Sequence, residues 1–154
     1  MQIRTLLAGV AMTAVLAGCA TSGSQSTSQE ERVQTAEYQG TLPCRNCDGI
    51  ELTVDLKGTE QAQAAERTFS LDAEYLNHPQ NPPKEHYEGN WDMISGTQSN
   101  PEATVYELTP NGEGQVYYFL KVDPNTLELI DPQLRKFENG QTLQLKRQQA
   151  SAAQ

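Results

Sequence analysis

The chain has 154 residues, with 20 acidic and 11 basic side chains and a formal charge of −9. That length holds one modest domain. The acidic balance argues against nucleic acid as a partner and against general attraction to anionic lipid, because both require a basic surface.

Residues 1–18 read as a signal peptide. Arg4 supplies the positive start, Thr5 to Leu16 is apolar apart from two threonines and a glycine, and small residues follow. The apolar run is shorter than the ~20 residues that span a bilayer. Leu16-Ala17-Gly18-Cys19 resembles the lipobox of bacterial lipoproteins, in which the chain is cut before the cysteine and the thiol is acylated. That resemblance implies a lipid on Cys19 and a membrane as partner through it. Each buried CH₂ contributes about 0.8 kcal/mol, so two or three acyl chains anchor stably where one holds marginally. Ala20 stands where Asp would mark inner-membrane retention in such lipoproteins, which implies the outer membrane. Loss of Arg4 with the signal makes the charge −10.

Residues 19–36 are rich in Ser, Thr, Gln and Gly without apolar periodicity, the composition of a flexible tether. Residues 149–154 read as a similar tail. Between them lies the folded part, expected over 37–148.

There the dominant signal is alternation with a period of two. Tyr38 to Leu42 opens the series. Ile50, Leu52, Val54 and Leu56 alternate with Glu51, Thr53, Asp55 and Lys57; Phe69, Leu71, Ala73 and Tyr75 alternate with Ser70, Asp72 and Glu74. Gln61 to Arg67, between those two strands, has the alanine and glutamine of one or two helical turns. Asn77 to Glu88 holds three prolines and two histidines and reads as the longest irregular loop. Shorter strands are expected at Asn90–Ile94 and Val105–Leu108. Next, Val116, Tyr118, Leu120 and Val122 alternate with Tyr117, Phe119 and Lys121. Leu127–Ile130 and Leu143–Leu145 complete the set. Asp48-Gly49, Lys57-Gly58, Asn111-Gly112, Asp123-Pro124-Asn125 and Asn139-Gly140 supply turns. About eight short strands with hairpin-scale connections, little helix and one apolar face each predict an all-β fold, a small antiparallel barrel or sandwich. Trp91, in mid-domain, is assigned to core or barrel-end packing.

Cys44-Arg45-Asn46-Cys47 is the constellation with chemical potential. A thioredoxin-type enzyme wants its first cysteine at a helix N-terminus in a βαβ setting, whereas here Asp48-Gly49 and a strand follow at once. As a metal site the pair offers two soft thiolates, suited to Cu(I) but short of the four ligands of closed zinc. Met93 remains once Met1 and Met12 leave with the signal, and His78 and His86 join only if their loop folds toward the cysteines. As a disulfide, expected in an oxidising compartment, the pair closes a tight loop, either as a clasp or as a redox reporter. No catalytic set is evident, so a non-enzymatic role is expected.

Tyr38-Gln39-Gly40-Thr41-Leu42-Pro43-Cys44-Arg45-Asn46-Cys47-Asp48-Gly49-Ile50 resembles the opening of the N-terminal domain of the NlpE family of envelope lipoproteins. Looser echoes lie at Thr68–Leu76, Gly89-Asn90-Trp91 and Asn125–Asp131. The resemblance implies a lipocalin-like barrel anchored to the outer membrane on its periplasmic face. It also implies a role in copper tolerance, adhesion or envelope stress signalling, with a signalling or surface partner. Cys44 and Cys47 then take the place of the family's cysteine pair, a copper or redox site. Well-known members carry a second, C-terminal domain for which this chain leaves no room, and the Glu60–Arg67 connection is longer than the family's usual turn. The competing reading is a small-ligand-binding or purely structural barrel.

Overall fold

The computed structural model describes residues 34–149. The expected signal peptide, the lipidated Cys19 and most of the tether lie outside the described residues.

The strands are β1 (Thr35–Leu42), β2 (Gly49–Lys57), β3 (Thr68–Leu76), β4 (Glu85–Ser95), β5 (Thr104–Pro110), β6 (Tyr117–Asp123), β7 (Thr126–Ile130) and β8 (Gln144–Arg147). Each pairs antiparallel with the next, and β8 returns to β1, so the sheet closes into an eight-stranded barrel. This is the expected all-β architecture, and closure removes the unpaired edges that an open sheet would expose. Two short 3₁₀ turns, Ala64–Glu66 and Gly140–Leu143, are the helical elements among the described residues. The first is a single turn within Gln61 to Arg67, where one or two helical turns are expected. β1 starts at Thr35, two residues before the expected domain start.

Alternation turns one face of each strand inward. Leu52, Val54 and Leu56 of β2 meet Phe69, Leu71 and Ala73 of β3 in the interior, with Leu108, Phe119, Leu127 and Leu145 completing the packing from the far wall. Side chains fill most of the barrel. Gly89 and Gly40 have steric roles. A Cβ on Gly89 would stand 2.9 Å from the Phe69 ring and collide with the Thr109 carbonyl. One on Gly40 would strike the β8 backbone at Gln144, where closure depends on close approach.

Two expectations are corrected. On β6 the inward residues are Tyr117, Phe119 and Lys121: Phe119 is fully buried, whereas Val116 and Val122 are exposed. Both faces of this strand carry large apolar groups, so alternation alone does not orient it, and burying the Phe119 ring decides the register. The supposed loop Asn77–Glu88 is shorter, since β4 begins at Glu85. All three prolines fall within residues 77–84, and His86 lies on β4 opposite Asp72.

Trp91 is buried, 5.0 Å from the Tyr106 ring, and its indole N–H donates to the Lys57 carbonyl at 2.9 Å. The Arg67 guanidinium lies 5.4 Å from the Trp91 ring centre and pairs with Asp92 at 2.8 Å. This is the barrel-end packing assigned from sequence.

Candidate functional site: the Cys44–Cys47 turn

The β1–β2 connection must reverse the chain within six residues, and Pro43 and Asp48-Gly49 supply the bends. Within it, Cys44 and Cys47 form a disulfide with a Cα–Cα distance of 5.3 Å, inside the ordinary range. Both cysteines are half-buried, while Arg45 and Asn46 between them are exposed. The sulfurs therefore sit at an accessible bend rather than in the core.

The turn is braced from β3. The Asp48 N–H donates to the Leu76 carbonyl at 2.9 Å, and the Asn77 amide donates to the Asp48 carboxylate at 2.7 Å. Cys47 Sγ lies 3.2 Å from the Gly49 carbonyl oxygen. An oxidised sulfur has no proton to give, so this contact becomes a hydrogen bond only when the bond is opened. The bracing bonds do not use the sulfurs, so reduction frees the cysteines without releasing the turn from the barrel.

The other suggested ligands are held elsewhere. His78 lies in the neighbouring 77–84 loop, but its ring meets Tyr75 edge-on at 6.0 Å and its Nδ1 accepts the Gln80 N–H at 3.1 Å. His86 faces Asp72, four residues down β3 from Leu76, or about 13 Å at ~3.3 Å per residue. Its Nδ1 is 2.8 Å from the Asp72 carboxylate, and that bond raises its pKa above the usual histidine value. Met93 pairs with Tyr106 toward the opposite end of the barrel. Among the described residues no three His, Cys, Asp or Glu side chains gather as a metal centre. The donor set is thus two sulfurs, which fit a soft ion of low coordination number once reduced and do not fit closed zinc.

The strand order separates the two ends. β1 starts beside Lys57 and finishes beside Ile50, and Gly49 lies opposite Leu76. The cysteine turn and the 77–84 loop therefore share one rim, while the chain enters the barrel at the other. On the cysteine side, the Tyr75 and Tyr87 hydroxyls donate to the Glu85 carboxylate at 3.3 and 3.1 Å. At the opposite rim Glu60 reaches inward to the Tyr106 hydroxyl and the Lys121 ammonium. Reading the sequence missed both clusters: Glu60, Tyr106 and Lys121 are distant in the chain, while Glu85 and Tyr87 fall in the segment read as a loop. For the first, an inward-facing charge on β6 was the available signal.

Compared with known families, residues 38–149 match the NlpE N-terminal domain. No curated protein and no solved structure gave a match. The matched span runs from β1 through β8 and includes the cysteine turn, and on that ground the chain belongs to the NlpE N-terminal domain family.

Proposed function

We propose that this protein is a non-enzymatic envelope lipoprotein, held on the periplasmic face of the outer membrane by acyl chains on Cys19, whose Cys44–Cys47 pair binds Cu(I) or reports redox state. Family membership supports the envelope setting. The observation that carries the reading is the disulfide on an accessible turn between β1 and β2.

The chemistry balances simply. A thiol-type reductant transfers two electrons and two protons, the S–S bond breaks, and two thiols form. Cu(I) then displaces both thiol protons and is held by two thiolates, which act as its soft ligands. Nothing in the bracing of the turn opposes this step. The pair itself offers two sulfur ligands, which suit a soft ion of low coordination number.

Anaerobic titration of the reduced full chain with Cu(I), beside the Cys44→Ser, Cys47→Ser variant, tests the metal role. Binding lost in the variant supports it, and identical curves remove it. Thiol trapping in cells challenged with copper or reductant tests the redox role, which a pair that never changes state excludes. A second reading, a ligand-binding barrel with the disulfide as a clasp, draws on the cavity at the other rim.

A further inference from the structure

The rim opposite the cysteines holds a cavity of about 210 Å³. Its apolar wall is Leu56 and Trp91; its polar wall is Tyr106, Lys121 and Arg147. The charged groups lining it are Glu60, Lys121 and Arg147, a local excess of positive charge in a chain of formal charge −9. Glu60 comes from the connection between β2 and β3, just after Gly58, whose φ of 91° is one that side-chain-bearing residues rarely adopt. Its carboxylate accepts from the Tyr106 hydroxyl and the Lys121 ammonium. Tyr106 is buried and Lys121 projects from the inward face of β6, so these donors are fixed by the barrel while the acceptor arrives on a loop. Arg147 forms no ion pair among the described residues.

A carboxylate between a phenol donor and an ammonium, beside an apolar wall, is the arrangement by which proteins hold small organic acids. Here the loop's own residue fills the place. We propose that this cavity is a binding site for a small organic monocarboxylate with a flat or short apolar body, and that Glu60 is its internal competitor. The ligand's carboxylate takes the Tyr106 and Lys121 donors as Glu60 swings out, its apolar body packs on Leu56 and Trp91, and Arg147 adds attraction at the rim. The cavity volume suits a ligand about the size of a benzoate and lies below the ~300 Å³ of a drug-sized site. This site is independent of the cysteine pair, and its failure would leave that reading untouched.

The test is fluorine NMR of 4-fluorobenzoate added to the full chain, with 4-fluorobenzamide as the neutral control. Glu60→Gln removes the competing charge and is expected to tighten fluorobenzoate binding about tenfold. Lys121→Met is expected to weaken it by a similar factor, with Lys121→Arg restoring part of the loss. Line broadening that follows this order, with the amide silent, supports the proposal, including the case in which only Glu60→Gln binds. Absence of binding in Glu60→Gln, binding indifferent to Lys121→Met, or equal binding of the amide overturns it. Lys121 lies at the rim and Arg is close in length, so the Met/Arg pair separates lost recognition from lost folding.

Discussion

The Phe69 ring lies across the β3–β4 ladder in the space that a side chain on Gly89 would need; a Cβ there would come within 2.9 Å of it. A large inward ring and a residue without a side chain thus share one position in the barrel wall. Gly89→Ala is expected to destabilise the barrel by about 1–3 kcal/mol, because the Thr109 backbone on the other side cannot yield easily. Thermal unfolding followed by circular dichroism should show the midpoint falling by roughly 4–15 °C. An unchanged midpoint would mean that the Phe69 ring and the Thr109 backbone both shift without penalty.

The disulfide should matter little to the fold. Its cysteines are three positions apart, and so small a ring restricts the unfolded chain by only about 2 kcal/mol. The Cys44→Ser, Cys47→Ser variant should keep its β-sheet spectrum, with a modestly lower unfolding midpoint in urea. Wholesale unfolding on reduction would contradict the bracing of the turn through Asp48, Leu76 and Asn77.

His86 provides a pH signature. Its hydrogen bond to Asp72, assisted by the nearby Glu88 carboxylate, raises its pKa above the ordinary 6.5. A raised folded-state value means that its contribution is fully present below about pH 6.5 and fades as pH rises through the higher folded value. The imidazole is exposed, so added salt should reduce the shift. Proton NMR titration of Asp72→Asn should return His86 toward its ordinary value; no movement would assign the shift to another cause.

Glu128 is a buried acid on the outward side of β7, covered by the chain between β7 and β8. Lys136 stands 3.2 Å from one carboxylate oxygen and Gln144 donates to the other at 3.0 Å. Lys136→Met removes the only cation paired with it among the described residues and should cost about 1–3 kcal/mol. Arg135→Met, which breaks the more exposed pair with Asp131, should cost distinctly less. Paired urea titrations of the two variants would expose any reversal of that order.

How much of this was legible in the sequence depended on whether a strand had one apolar face or two. β2 and β3 alternate cleanly between aliphatic and polar residues, and both were found with their inward faces correct. β6 alternates between two apolar sets, so period alone could not orient it. The start of β4 was hidden because its inward residues there are Glu85 and Tyr87, a charged group and a phenol that read as loop. The cysteine pair was legible because its partners are adjacent in the chain. The Glu60–Tyr106–Lys121 cluster was not, since it needs barrel closure to bring three distant segments together.

Closure has a weakest line. β8 is four residues long; it meets β1 through Tyr38 with Arg147 and Gln39 with Lys146, and β7 through Thr126 with Lys146, Leu127 with Leu145 and Glu128 with Gln144. β1 and β2, by contrast, run together along the whole of β1. The cylinder is therefore a sheet fastened by one short stave, and loosening should start there. Arg147 belongs to that stave, so anything gripping it from within the rim would also help to hold the seam shut.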